Sequence, residues 1–228
     1  MKHAVIDRPH TVSSFDEQLA EVKSLINTMA RLAQGSLGEA ISALETADRV
    51  AAKQIVAKDK QINELELSIE RLVLLTITSR APMATDLRYL VVAIRIGKML
   101  ERTGDQAKRI ARRVKNLAPH TMGESLTLIR AMAKYANEMV ETSIESFNRS
   151  SESMAQDVVQ ADAKLNAMHR ELASACAAAM GEGSLPINDG IEIISIGKQL
   201  ERVGDYAANI ARDVSYMVTG SRGDLGQQ

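Results

Sequence analysis

The 228-residue sequence has no tryptophan, and aromatic residues make up only 3% of it. A core with so few rings must be filled by Ala, Leu, Ile, Val and Met, the residues that pack helix against helix. Proline is scarce at four and glycine modest at 13, whereas strand-rich folds draw on more turn residues and on aromatic and β-branched runs. The single cysteine, Cys176, excludes a disulfide framework and a thiolate zinc site, and reads as a small buried side chain. The net charge of −1 lacks the basic excess of a nucleic-acid-binding domain. No apolar run approaches the ~18 residues of a membrane span, and the N-terminal MKHAVIDRPH has no apolar signal core, so the expected location is the cytoplasm. What remains, 45% hydrophobic and 25% charged residues, is the composition of a folded globular chain.

The prolines divide an otherwise helical pattern, because proline disfavours helix in its own interior position and in the residue before it. A capping-box pattern of Ser14 and Glu17 predicts a first helix from Ser14 to about Thr46. A short piece from Asp48 to Ala57 then leads into a helix from about Lys58 to Arg80. After Pro82 a helix is predicted over residues 85–117. In it Tyr89, Val92, Ala93, Ile96, Leu100, Thr103, Ala107, Ile110 and Val114 form one apolar stripe at helical spacing. Further helices are predicted near 122–148, 153–180 and 187–219, before a polar tail at 221–228.

An internal repeat sets the architecture. Residues 96–114, IGKMLERTGDQAKRIARRV, match residues 196–214, IGKQLERVGDYAANIARDV, at 13 of 19 positions. Two unrelated amphipathic helices would share residue classes, not this many identities. The chain therefore reads as a duplication with its boundary near Pro119: a first three-helix repeat over 10–118 and a second over 119–220, each packing as an antiparallel bundle. The expected fold is all-α, with six main helices in two tandem bundles.

Acidic residues recur at one spacing in both halves. Glu101 and Asp105 are four apart, as are Glu201 and Asp205, which places each pair on one helix face, where like charges repel. An antiparallel hairpin centred on Pro82 brings Asp59 level with Asp105 and Asn63 level with Glu101. A second hairpin, turning between Gly183 and Ser184, brings Asp162 level with Asp205 and Asn166 level with Glu201. Helix axes 8–10 Å apart let such side chains reach a shared ion. All-oxygen ligands suit Mg²⁺, Mn²⁺, Ca²⁺ or oxygen-ligated iron. Asn209 extends the second series, where the first half has Arg109, and His169 shares the face of Asp162 and Asn166. The alternative reading of these acids is a solvated, charged helix surface. Gly104 and Gly204, with Gly97 and Gly197, either make room for a ligand or allow close helix packing, since a mid-helix glycine costs about 1 kcal/mol relative to alanine.

The two copies of LERxGDxAxxIAR, the phrase APMATDLRYL and the length together resemble the PhoU family over roughly residues 14–219. The DLR at Asp86 to Arg88 supports this in the first half only; the second half has LPINDG there. The resemblance implies two three-helix bundles related by a pseudo-twofold, in a cytoplasmic, often dimeric protein. It implies negative regulation of phosphate uptake and of the phosphate-starvation response, by an adaptor between the ATPase subunit of a phosphate ABC transporter and a sensor histidine kinase, with membrane association only through those partners. It also implies metal clusters at Glu101, Asp105, Glu201 and Asp205, with Asp59 and Asp162 from the facing helices; Asn63 and Asn166 stand where some relatives have Asp. Two other functions compete. A carboxylate-bridged metalloenzyme of the di-iron type typically uses Glu-x-x-His pairs, which are missing. A purely structural helical dimer would be indifferent to loss of the four acids. With neither a nucleophile–base arrangement nor a phosphate-cradling glycine loop, the chain reads as a non-enzyme.

Overall fold

The computed structural model describes residues 9–117 and 119–221, with side chains from 15 to 117 and from 122 to 221. The chain is all-helical over these residues, in six long helices: α1 (Pro9–Thr46), α2 (Arg49–Arg80), α3 (Ala84–Arg113), α4 (Pro119–Arg149), α5 (Glu152–Gly181) and α6 (Ile187–Thr219). The tail from 222 onward lies outside the described residues.

Two boundaries differ from expectation. α1 begins at Pro9, where a missing N–H and a fixed φ suit the first turn of a helix, so Ser14 lies inside the helix and does not cap it. The short piece at 48–57 is no separate element, because α2 runs without interruption from Arg49 to Arg80. Its start is fixed by Asp48, whose Oδ1 accepts from the N–H groups of Val50 and Ala51 at 2.8 and 2.9 Å. Its end is a left-handed Ala81 just before Pro82. In α4 the backbone leaves helical geometry at Gly123 (φ 45°, ψ −129°), so the regular helix starts close to the predicted residue 122.

The first three helices all pack on one another, and so do the last three. Between the halves, α1 packs on α4 and α3 on α6, while α2 and α5 stay on the outside. Both inter-half pairs run antiparallel: Asn27 meets Asn148 and Gln34 meets Asn137 along α1–α4, and Arg95 meets Asp213 and Arg113 meets Glu192 along α3–α6. An exchange of α1 with α4 and of α3 with α6 therefore maps the contact pattern onto itself, as a pseudo-twofold requires. The predicted stripe is the buried face of α3: Val92, Ala93, Ile96, Leu100, Thr103, Ala107, Ile110 and Val114 are buried, and Tyr89 stacks on Phe147 of α4 with ring centroids 4.9 Å apart. Cys176 is fully buried beside Ser125, and burial pushes its thiol pKa up.

Candidate functional site: two carboxylate faces of unequal charge

The hairpin geometry places the predicted acids on facing helices. The turn from α2 to α3 spans residues 81–83 and that from α5 to α6 residues 182–186, within a residue of the centres the spacing requires. Each half then resolves its charges differently.

In the first half, lysines fill the space between the acids. The Lys108 ammonium lies 2.6 Å from Asp59 Oδ2 on α2 and 2.6 Å from Asp105 Oδ1 on its own helix. Asp59 is only 9% exposed, so its charge is tolerable only with a partner. Burial alone would lower the pKa of Lys108, but its bonds to Asp105 and Asp59 outweigh that and raise it. Between two and three turns further along the hairpin, Lys98 bridges Glu66 of α2 and Glu101 at 3.2 and 3.1 Å. Glu101 and Asp105 thus answer to different lysines and do not converge on a common point.

The second half lacks the first of these lysines, since Ala208 occupies the position equivalent to Lys108. Lys198 pairs with Glu201, as Lys98 does with Glu101. Asp162 and Asp205 have no lysine between them. Asp162 Oδ2 accepts a hydrogen bond from Asn166 at 3.1 Å, while its buried Oδ1 meets no donor among the described residues. Burial raises the pKa of the Asp205 carboxyl above the ordinary range. The negative charges of Glu201 and Asp162 add to this, and Lys198 and Arg212 oppose it. Asp162 is also raised, chiefly by burial, against the pull of Arg212 and the Asn166 hydrogen bond and with Glu201 adding to the rise. The Oδ1 of the exposed Asn209 accepts a hydrogen bond from the Arg212 guanidinium at 2.9 Å. His169 lies over Gly197, and its buried Nε2 has no hydrogen-bond partner among the described residues. Among the described residues, no three of His, Cys, Asp or Glu come together closely enough to hold a metal ion.

The glycines serve packing. A Cβ on Gly104 would lie 2.7 Å from Ile62 Cδ1, one on Gly204 2.4 Å from Leu165 Cδ2, and one on Gly197 2.6 Å from Leu172 Cδ2. Only Gly97 leaves ordinary contact distance, 3.6 Å to Ile69. The side chains that need the space are neighbours on α2 and α5, aliphatic apart from the His169 ring over Gly197, which lets α3 and α6 approach those helices closely.

With this geometry the comparisons with known proteins agree. The PhoU domain profile matches twice, at residues 26–114 and 129–214. The chain belongs to the PhoU family. The phosphate-specific transport system accessory protein PhoU homolog of Zymomonas mobilis is 35% identical over 213 residues, covering 93% of this chain and 90% of that protein. The homolog of the same description from Pseudomonas aeruginosa is 31% identical over 215 residues, covering 93% of this chain and 88% of that protein. The crystal structure of PhoU from Pseudomonas aeruginosa superposes with a TM-score of 0.83 at 31% identity, covering 91% of this chain and all of that one. That of the phosphate transport system regulatory protein PhoU from Streptococcus pneumoniae gives 0.80 at 27% identity, covering 91% and 98%.

Lys108 is the residue that sequence reasoning missed. Its signal was present: overlaying the repeats sets Lys108 against Ala208, a change of charge three residues after the repeated Asp.

Proposed function

We propose that this PhoU-family chain is a cytoplasmic negative regulator of phosphate uptake and of the phosphate-starvation response, acting without catalysis. In this reading it is an adaptor between the ATPase subunit of a phosphate ABC transporter and a sensor histidine kinase, and it reaches the membrane only through them. The observation that carries the reading is the end-to-end match to accessory proteins of phosphate transport, about nine-tenths of both chains in each case. Among the described residues no helix is long and apolar enough to cross a membrane, which suits a protein that is recruited. Leu74, Leu75, Met83 and Leu87 are exposed where α2 turns into α3, and apolar surface of this kind favours association, including the homodimer we expect.

The acidic faces are the surfaces we assign to recognition, and a hard cation, Mg²⁺, Mn²⁺, Ca²⁺ or iron, is assigned to the second half. There Asp162, Glu201 and Asp205, with Asn209 at the rim, supply oxygen ligands; Glu201 is paired with Lys198, and the raised carboxyl pKa values of Asp162 and Asp205 mark charge that is incompletely compensated. A bound cation would supply that compensation and draw the three carboxylates together. The first half does not fit an ion as arranged, because Lys108 already occupies the gap between Asp59 and Asp105. Glu101, Asp105 and Asp59 take a metal only if that lysine swings away.

The test is a pull-down with the transporter's ATPase subunit and the sensor kinase, using wild type and the variant with Glu101, Asp105, Glu201 and Asp205 all changed to Ala, with elemental analysis of both. Capture of a partner by wild type and its loss in the variant is the expected result. Absence of either partner from the wild-type capture removes the adaptor reading, and equal metal content in the two proteins removes the cation.

A further inference from the structure

Beyond the first carboxylate face, about one turn from Asp59 and Lys108, a cleft of about 430 Å³ lies between the first turns of α2 and the last turn of α3. Its floor is apolar, with Val56 and Ala111, and its rim carries Arg49, Lys53, Arg112 and Lys115 and no acid. All four cations are exposed, and among the described residues none has an ion-pair partner. The nearest acid by sequence, Asp48, directs its carboxylate to the backbone N–H groups that open α2.

Half of this charge is placed against local electrostatics; the other half, Arg112 and Lys115, sits at the end of α3 that favours cations. Arg49 and Lys53 stand at the positive end of the α2 macrodipole, where carboxylates are favoured and cations are not. They are also four residues apart on one face, where like charges repel. Arg112 and Lys115 add two more positive charges from the facing chain. The duplication supplies an internal control. In the second half the floor is kept, with Val159 and Ala211 in place of Val56 and Ala111. The rim is not: the equivalent positions hold Glu152, Gln156, Arg212 and Ser215, and Arg212 is engaged with Asn209. Four unpaired cations were therefore gathered over a shared floor in one half only.

We propose that this cleft binds a small polyphosphate anion, either an inorganic chain of phosphates or the phosphate tail of a nucleotide. Arginine and lysine together suit phosphate oxygens, the guanidinium by paired hydrogen bonds and the ammonium as a point charge, and the volume is in the range of small-ligand pockets. The two sources differ in their use of the floor: a nucleoside would cover Val56 and Ala111, an inorganic chain would not. The inference does not depend on the adaptor reading.

The test is calorimetric titration of the full chain with sodium tripolyphosphate and, separately, with magnesium-free ATP, at low and at near-physiological salt. One saturable site is expected, weakened by salt. Lys53→Gln combined with Arg112→Gln is expected to reduce affinity about tenfold or more, while Lys134→Gln with Arg170→Gln, the same change in net charge elsewhere, leaves it intact. Tighter binding of ATP than of tripolyphosphate assigns the floor to a nucleoside; the reverse assigns the site to inorganic chains. Should the double variant lose helicity by circular dichroism, Lys115→Gln, in the turn after α3, carries the same comparison. Absence of saturable binding by both anions, or equal weakening in the rim and control variants, overturns the proposal.

Discussion

The residue that most distinguishes the two halves is Lys108. It neutralises a nearly buried Asp59 together with Asp105, and its counterpart is Ala208. Lys108→Ala would leave Asp59 without its partner, and breaking a buried pair in this way is expected to cost about 2–3 kcal/mol. For a chain of this size that corresponds to a melting temperature lower by ~5–10 °C, measurable by thermal denaturation. The same change makes the first face resemble the second, so titration with Mn²⁺ should show added affinity in the variant, and an unchanged affinity would count against the role given to the lysine. Asp205 offers the complementary case. Its folded pKa lies above the unfolded one, because burial, Glu201 and Asp162 all disfavour its charge. The folded state then holds the proton more tightly. Its favourable contribution is present below the ordinary carboxylate pKa and is lost as pH rises through the raised value. In metal-free protein Asp205→Asn should therefore raise the melting temperature at neutral pH, and the gain should vanish towards the acid end of the carboxylate range. A gain independent of pH would show that charge is not the cause.

At the level of elements, close approach of α3 and α6 to their hairpin partners is what holds each carboxylate face together. Gly204 sits against Leu165, which is fully buried. Alanine there would gain about 1 kcal/mol of helix propensity but lose more to overpacking, typically ~1–3 kcal/mol, so Gly204→Ala is expected to destabilise. Gly97 has ordinary clearance from Ile69, and Gly97→Ala is expected to stabilise by up to ~1 kcal/mol. Opposite signs in urea denaturation are the predicted outcome; the same sign at both positions would contradict the packing account. These elements were largely legible from the chain. Helical periodicity marked the buried face of α3 residue by residue, and the Gly/Pro segments marked both hairpin turns. The join between Asp48 and Arg80 was misread because a polar run, KDKQINE, has no apolar stripe of its own, yet Ile55, Asp59 and Ile62 are buried there by tertiary packing. Spacing also placed the acids on facing helices but could not say where the lysine side chains reach, and so it overlooked the ion pairs that separate the two faces.

Across the whole molecule, the duplication gives two bundles that share one continuous apolar core. The halves are tied by reciprocal hydrogen bonds between the side-chain amides of Asn27 and Asn148 at 2.8 and 3.2 Å and by the Arg95–Asp213 and Arg113–Glu192 pairs. This scaffold presents different charge on equivalent surfaces: lysine-bridged acids and a basic cleft in one half, incompletely compensated acids in the other. In the adaptor reading proposed above, such asymmetry would offer two partners two different surfaces. The most direct measurement is of phosphate uptake and of a phosphate-starvation promoter in phosphate-replete cells, with the gene for this chain deleted and then restored. The account predicts a rise in both on deletion and a return to the starting level on restoration. Uptake and promoter output that stay unchanged on deletion would contradict it.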